Sequence, residues 1–240
     1  MNTVKLVNKN NVKMVAHRGV SGIEPENTNA AFIAAGNRSY FGVETDVRRT
    51  ADGQFILLHD DNTERMGIDK LYPEQTTYET LRALRLRDKN GVRSRADLRL
   101  CSMEEYIETC KRYEKRCVLE LKGGYTEEWL GEMIERIKNI GWLENVIFIS
   151  FSLDNLIKLR SLLPDQQMQY LTGAFDENVF DAMKKYNLSL DIYIGGLHEE
   201  DVKRIHDAGL EVNVWTVDRL EDAERMVSWG VDYITSNIIE

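Results

Sequence analysis

The 240-residue sequence contains few cysteines and prolines and no long apolar run. Its three cysteines, Cys101, Cys110 and Cys117, form no C-x-x-C pair, so they indicate reduced thiols rather than a disulfide framework or a zinc site. With 3 prolines, 42% hydrophobic residues and 30% charged residues, the composition excludes a collagen-like, low-complexity or disordered chain. Because no segment approaches the roughly 18 uncharged apolar residues of a membrane span, stable membrane insertion is not expected.

Basic residues are outnumbered by acidic ones: 31 Lys and Arg stand against 40 Asp and Glu, a formal net charge of −9. This surplus predicts that nucleic acids and anionic membrane surfaces are not partners, since both would be repelled. A small anionic substrate in a locally basic pocket is compatible with it. The N-terminal residues carry lysines but no apolar segment, so no secretory signal is indicated. We expect a soluble, cytoplasmic protein, either a monomer or a homo-oligomer.

Short apolar, β-branched segments alternate with longer amphipathic segments along the chain. Eight strands are predicted, at residues 12–19, 42–49, 117–122, 146–151, 168–172, 189–194, 210–217 and 231–236. Seven helices are predicted between them, at 27–37, 102–113, 126–140, 152–163, 177–186, 199–208 and 220–229. This count and the chain length predict one domain over residues 1–240 with an α/β fold, the (β/α)8 or TIM barrel. An open, doubly wound sheet is the alternative, but no G-x-G-x-x-G turn follows the first strand.

One segment departs from this alternation, between the second strand and the helix predicted at 102–113. It contains a further β-like piece at 54–59 and then a polar stretch from residue 60 to residue 99. Long loops inside compact domains are usually functional. We therefore expect a small insertion at about 60–100 near the mouth of the barrel, not a second domain. No eighth helix is expected, because four residues follow Ser236.

The predicted strands end in polar side chains, and in parallel barrels the reactive groups lie at these carboxyl ends. The first strand leads into His17, which can act as an acid or base near neutral pH, and Arg18, which suits phosphate or carboxylate oxygens. The second strand carries Glu44 and Asp46 on one face, because strand side chains alternate. Two adjacent carboxylates repel each other unless a proton or cation intervenes, and Mg²⁺ or Ca²⁺ is the natural partner of oxygen ligands.

Four more candidates complete this set. Glu120 and Lys122 share a face of the third strand, His59 follows the apolar run FILL, and Trp215 ends the seventh strand. Each candidate also has an ordinary structural explanation: a solvated arginine, a salt bridge, an ion pair, a histidine bound to a neighbouring aspartate, or a packed aromatic ring. Together, two histidines, three acids and two cations at strand ends favour one site. His198 and His206 lie in a helical stretch and are expected to face solvent.

At these residues the sequence resembles the glycerophosphodiester phosphodiesterase family. The similarity runs in order through AHRGVSGIEPENTNAAFIAA, GVETDVRRTADGQFILLHDDNTER, LELK and VNVWTVD, from His17 to the last strand. The resemblance implies a TIM barrel with a small insertion after the second strand, and a divalent metal ion as cofactor. For the residues it implies the following roles: metal ligands Glu44, Asp46 and Glu120; general acid and base His17 and His59; phosphate-binding Arg18 and Lys122; Trp215 near the mouth; and loop organisation and helix capping by Glu26 and Asn27.

The implied reaction is hydrolysis of a small-molecule glycerophosphodiester to sn-glycerol 3-phosphate and an alcohol such as choline or ethanolamine. The attacking oxygen is expected to be the neighbouring glycerol hydroxyl, which would form a cyclic phosphate, with direct attack by water as the alternative. Two other functions remain open: a lysophospholipase D on the same fold, and a binding protein that has lost catalysis. The last is disfavoured, because every polar member of the site is present.

Overall fold

The computed structural model describes residues 2–66 and 69–240, which form a closed barrel of parallel strands. The strands are β1 (Lys13–Ala16), β2 (Gly42–Arg49), β3 (Phe55–Leu57), β4 (Arg116–Leu121), β5 (Val146–Ser150), β6 (Met168–Thr172), β7 (Ser189–Tyr193), β8 (Val212–Trp215) and β9 (Tyr233–Ser236). All except β3 pair in parallel, and β1 pairs with both β2 and β9. The closed ring confirms the predicted (β/α)8 barrel and excludes the open sheet, which would leave two unpaired edges.

The helices pack outside the strands that precede them. They are α1 (Asn29–Gly36), α2 (Tyr78–Ala83), α3 (Met103–Arg112), α4 (Glu127–Ile140), α5 (Leu153–Leu162), α6 (Glu177–Tyr186), α7 (Glu199–Asp207) and α8 (Leu220–Trp229). All but α2 match a predicted helix to within two residues at either end. In the described part of the chain, no helix combines the length and apolar character needed to cross a membrane. Cys101, Cys110 and Cys117 are buried and free, as predicted.

Side-chain alternation on β2 separates the core from the site. Val43 and Val47 belong to the large apolar cluster between strands and helices, whereas the acids of this strand point into the barrel. A second, smaller cluster fills the barrel interior and includes Val15, Val118 and Ile147. The barrel interior is thus apolar away from the carboxyl ends of the strands and polar toward them, where the active site of a TIM barrel lies.

The segment between β2 and α3 begins with a hairpin, because β3 runs antiparallel to β2. It continues through two 3₁₀ turns and α2, with residues 67 and 68 of the predicted insertion outside the described residues. Its own small apolar cluster includes Ile56, Leu81 and Leu98. The Nζ of Lys89 donates to the carbonyl of Ser21 at 2.6 Å, which ties this segment to the loop after β1 and therefore to the mouth of the barrel.

Gly19 permits a close approach between the loop after β1 and the first helix. Its φ is +75°, and a Cβ at this position would lie 2.6 Å from the Cβ of Ala31. We expect Gly19→Ala to lower the free energy of unfolding by roughly 1–2 kcal/mol for the left-handed backbone and about 1–3 kcal/mol more for the overlap. Gly209→Ala is the control, since its φ is +74° and no atom of the described residues lies within 4 Å of the added Cβ. Equal losses for the two variants in urea unfolding would contradict the steric argument.

Candidate active site

The loop after β1 turns sharply at the residues predicted to act on the substrate. His17 and Arg18 follow the last residue of β1, and Arg18 has a left-handed φ of +53°. A non-glycine residue in this region costs free energy and needs surrounding contacts to hold it. Here the backbone N–H of Arg18 donates to Oε2 of Glu44 at 2.8 Å. The turn thereby connects the loop after β1 to the acids of β2.

The three predicted acids come together through strand register. Asp46 of β2 stands directly beside Glu120 of β4 in the parallel pairing, and Glu44 lies two residues earlier on the same face. One carboxylate oxygen from each residue lies within 4.8 Å of the other two, and all three side chains are buried. Three converging carboxylates on adjacent strands form a set of hard oxygen donors of the kind that Mg²⁺ and Ca²⁺ prefer.

Two cations flank these acids. The Nζ of Lys122 lies 2.7 Å from Oε1 of Glu120 and 3.2 Å from Oδ1 of Asp46. The Nε of Arg18 lies 3.4 Å from Oδ2 of Asp46, and its Nη1 donates to Glu26 at 3.0 Å. Arg18 and Lys122 thus stand on either side of Asp46, where an anionic phosphate next to a metal ion would meet both.

The protonation of the acids reflects crowding. Burial and then repulsion from Asp46 raise the pKa of Glu44 well above its usual value, and the same two causes raise the pKa of Glu120 to about 8. Burial opposes ionisation of Asp46 as well, but Lys122 and Arg18 outweigh it and lower its pKa. Oδ1 of Asp46 also lacks a hydrogen-bond partner among the described residues, although Lys122 is at ion-pair distance. The donor set fits a divalent cation, which would remove this repulsion.

His17 is held by the far end of the chain. Its Nδ1 lies 2.8 Å from Oδ1 of Asn237, and its Nε2 lies 3.9 Å from Oε2 of Glu44. The amide of Asn237 donates to Asp218 at 2.5 Å. Burial, followed by the charge of Arg18, lowers the pKa of His17 to about 4. The ring is therefore neutral near pH 7, with Nδ1 the protonated nitrogen if Asn237 accepts through its oxygen.

His59 is held by a chain of charged groups. Its Nδ1 lies 2.7 Å from Oδ1 of Asp60, and Arg65 binds Asp60 and Glu26 together at 2.6 Å each. Burial lowers the pKa of His59, whereas Asp46 and Asp60 act to raise it. Glu26 also accepts a hydrogen bond from Arg18, the residue after His17. The carboxylate of Glu26 therefore connects the loop that carries His17 to the loop that carries His59.

Two adjoining cavities meet at these residues. The inner cavity has a volume of about 140 Å³ inside the barrel mouth, and its lining includes His17, Glu44 and Trp215. The outer cleft has a volume of about 1010 Å³, and its lining includes Arg48, Asp61 and Arg65. Four residues line both: His59, Glu120, Lys122 and Phe151. Trp215 packs edge-to-face with Phe151 at 5.8 Å between ring centroids and so lies at the mouth.

The predicted site residues therefore converge. The two histidines, Arg18, Lys122, Trp215, Glu44 and Glu120 line the inner cavity, and the fully buried Asp46 completes the acid cluster behind it. His198 and His206 are exposed outside this region, as predicted.

Comparison with known proteins agrees with this arrangement. Residues 17–240 match the model of the glycerophosphoryl diester phosphodiesterase family. The chain belongs to this family. A glycerophosphodiester phosphodiesterase of Caldanaerobacter subterraneus subsp. tengcongensis is 30% identical over 231 residues, which cover 93% of each chain. The family and the enzyme class predicted from the sequence are thereby confirmed.

Solved structures of similar proteins share the fold over nearly the whole chain. A phosphodiesterase of Oleispira antarctica, in complex with the product sn-glycerol-3-phosphate, has a TM-score of 0.87 at 26% identity, covering 94% of this chain and 92% of that one. A glycerophosphodiester phosphodiesterase of Parabacteroides distasonis has a TM-score of 0.80 at 27% identity, covering 96% and 94%.

Asn27 has a different role in this family member from the helix cap that the resemblance implied. The N-cap of α1 is Thr28, whose hydroxyl accepts from the N–H of Ala31. Asn27 instead has a left-handed φ of +55°, donates to Oδ2 of Asp46 at 2.9 Å and accepts from Thr45 at 2.7 Å. The predicted helix began two residues too early, because Asn27 belongs to the acid cluster. Asn237 was not predicted at all, since an asparagine near the end of a sequence carries no local signal for a distant histidine.

Removing the Asn27 amide tests its contact with Asp46. We expect Asn27→Gly, which keeps the left-handed backbone, to lower divalent-ion affinity roughly 10- to 100-fold, the range for groups that orient metal ligands. Calorimetric titration with Mg²⁺ and Ca²⁺ gives the affinity. Asn187→Gly is the control, because Asn187 has a φ of +51° at the C-terminus of α6, away from the cluster. Unchanged affinity in Asn27→Gly would contradict the assignment.

Proposed function

We propose that this chain hydrolyses glycerophosphodiesters to sn-glycerol 3-phosphate and an alcohol, using a divalent metal ion and two histidines. The observation that carries the proposal is the common cavity of His17 and His59, bordered by three clustered acids and two cations. A diester substrate is anionic and its leaving group is a poor alkoxide, so the reaction needs both charge neutralisation and proton transfer.

The positions of the two histidines suggest different tasks. His17 lines the inner cavity, whereas His59 lines both the inner cavity and the outer cleft. We assign His17 as the general base, which takes the proton from the attacking oxygen. His59 is the general acid: in its imidazolium form, with Nδ1 held by Asp60, it gives the Nε2 proton to the alcohol as the bond from that alcohol to phosphorus breaks. Asn237 and Asp60 orient the two rings through their Nδ1 atoms, and within the described residues neither Nε2 makes a hydrogen bond, although that of His17 lies 3.9 Å from Oε2 of Glu44.

Arg18 and Lys122 bind the phosphate. Their side chains reach Asp46 from two directions, so both point at the space beside the acid cluster. An arginine can fork onto two phosphate oxygens, and a lysine acts as a point charge. A divalent ion held by Glu44, Asp46 and Glu120 would stabilise the negative charge that builds on the non-bridging oxygens.

The attacking oxygen is proposed to be the glycerol hydroxyl next to the phosphate ester. His17 removes its proton, the oxygen bonds to phosphorus, and the departing alcohol leaves with a proton from His59. Water then opens the cyclic phosphate with the two histidines in exchanged roles. Phosphorus NMR during turnover tests this step: a transient cyclic glycerophosphate supports it, and formation of sn-glycerol 3-phosphate with no cyclic species supports direct attack by water.

The activity is tested with a panel of glycerophosphodiesters with and without Mg²⁺ and Ca²⁺. We expect release of sn-glycerol 3-phosphate from glycerophosphocholine and glycerophosphoethanolamine only with added ion, and EDTA should abolish it. Binding of the diesters without turnover would favour the non-catalytic alternative instead.

One observation favours lysophosphatidylcholine as a second candidate substrate. Phe151 and Tyr193 are 50% and 48% exposed, and both rings pack beside Trp215 at the mouth. An exposed aromatic rim could hold an acyl chain. Choline release from lysophosphatidylcholine, measured beside glycerophosphocholine under the same conditions, distinguishes lysophospholipase D activity.

A further inference from the structure

Asp191 is a buried acid in the inner cavity for which the reaction described above has no use. It lies on β7, is 2% exposed, and lines the cavity together with His17, Glu44 and Glu120. Its Oδ1 has no hydrogen-bond partner among the described residues. A buried polar atom without a partner costs free energy, so such an atom beside a catalytic cavity suggests a missing ligand.

The neighbouring polar side chains do not supply that partner. Asn213 lies beside Asp191 in the strand pairing, but its amide donates to Gln169 at 3.0 Å and its oxygen accepts from Thr235 at 3.1 Å. Burial, and then the charge of Glu120, raises the pKa of Asp191 well above its usual value. The Asp191 carboxyl can accept a hydrogen bond from an alcohol O–H, and its protonated form, which burial favours, can also donate one to the alcohol oxygen.

We propose that Asp191 binds the terminal hydroxyl of the substrate's glycerol moiety, so that glycerol occupies the inner cavity and the departing alcohol occupies the outer cleft. This rests on the proposed phosphodiesterase function. The hydroxyl next to the phosphate ester then remains available as the attacking group. The terminal hydroxyl is the other hydroxyl of the glycerol moiety, and the protein can recognise it without blocking the reaction.

The size and lining of the inner cavity fit glycerol. One water needs on the order of 10–15 Å³, so about 140 Å³ has room for a three-carbon polyol. Ile149 and Leu171 supply apolar walls for its carbon atoms, while Asp191 and Thr235 supply polar groups.

The outer cleft has the opposite character. It is about seven times larger, and residues of both charges line it, including Arg48, Asp61, Glu64 and Arg65. Its width and mixed charge fit alcohols of different size and charge. We therefore expect strict recognition of glycerol and broad acceptance of the alcohol. An acyl group on the terminal oxygen removes the hydroxyl and adds a chain that the inner cavity does not hold, so lysophosphatidylcholine should be a poor substrate despite the exposed aromatic rim at the mouth.

The test compares glycerophosphocholine with an analogue in which propane-1,2-diol replaces glycerol, so that only the terminal hydroxyl is lost. In the wild type we expect kcat/KM to be at least tenfold higher for glycerophosphocholine, because a site built to bind a hydroxyl rejects the compound without it. In Asp191→Ala the two values of kcat/KM should become nearly equal, because kcat/KM should fall mainly for glycerophosphocholine. Asp191→Asn, which keeps a donor and an acceptor, should retain part of the preference. Asp165→Ala, on the exposed surface, is the control and should keep all of it.

A binding measurement separates this inference from the proposed function. Calorimetry with sn-glycerol 3-phosphate and with propane-1,2-diol phosphate does not depend on turnover. We expect the wild type to prefer the first and Asp191→Ala to bind both alike. If no diester is hydrolysed but this preference is found, the proposed function fails and the glycerol site stands. Equal binding of the two by the wild type, an undiminished preference in Asp191→Ala, or lysophosphatidylcholine turnover equal to that of glycerophosphocholine would overturn the inference.

Discussion

Glu120→Gln should abolish divalent-ion-dependent turnover and should leave the metal-free protein at least as stable as the wild type near pH 7. The two effects separate because the pKa of Glu120 is raised to about 8, so this side chain is largely neutral in the metal-free protein. A raised carboxyl pKa costs stability as pH rises above the unfolded value, and an amide does not carry that cost. The loss of one anionic ligand should weaken ion binding by more than about 100-fold, since residues that only orient metal ligands already change metal affinity by roughly 10- to 100-fold.

Thermal unfolding and calorimetry measure both effects. Ion at 100 times its Kd should stabilise the wild type by about 2.7 kcal/mol and Glu120→Gln hardly at all. Because the pKa of Glu120 is about 8 and burial also raises the pKa of Glu44, ion binding should release protons and tighten as pH rises. Glu64→Gln, an exposed acid of the outer cleft, should behave as the wild type. An undiminished ion-induced shift in Glu120→Gln would exclude Glu120 as a ligand.

His17→Ala and His59→Ala should both lose activity on glycerophosphocholine by roughly 10²- to 10⁴-fold, the usual contribution of general acid–base catalysis. They should differ when the leaving group is changed to p-nitrophenolate, which departs without a proton. His59→Ala should then recover most of the rate of p-nitrophenolate release in the first turnover, because that step no longer needs a general acid, although opening of the cyclic phosphate still needs His59. His17→Ala should remain impaired, because the attacking oxygen still has to lose its proton.

First-turnover rates of alcohol release from glycerophosphocholine and from its p-nitrophenyl counterpart give this comparison. His206→Ala is the matched control, since His206 is exposed and pairs with Asp232 at 2.8 Å outside the cavity. Recovery in His17→Ala instead of His59→Ala would reverse the two assignments. Near-full activity of His17→Ala on both substrates would remove His17 from the reaction.

The fold could be predicted because its signals are local. Apolar strands and amphipathic helices alternate in the sequence, and side-chain alternation on β2 assigns Val43 to the core and Glu44 to the interior without tertiary information. Predicted strand ends were up to three residues too long, as at β1, where residues 17–19 belong to the loop. The turn there depends on the contact between Arg18 and Glu44, which local patterns do not show.

Three groups around the site could not be predicted, because the residues that they face are distant in sequence. His17 and Asn237 lie 220 residues apart and meet because β9 pairs with β1. The sequence pattern assigned Asn27 to the helix that follows, yet the left-handed turn directs its amide to Asp46. The sequence around Asp191 predicts a strand but does not indicate that this side chain lines a cavity. That position follows only from the closed barrel.

By itself, therefore, the sequence determined the type and order of the elements, the face on which each strand side chain lies, and the family, since these follow from periodicity and from contiguous motifs. The tertiary structure alone decided which side chains touch, which acids lie close enough to share a proton or an ion, and how the inner cavity differs from the outer cleft. The physical reason is that burial and charge interaction depend on distance in space, and closure of the barrel sets those distances between residues that the chain keeps far apart.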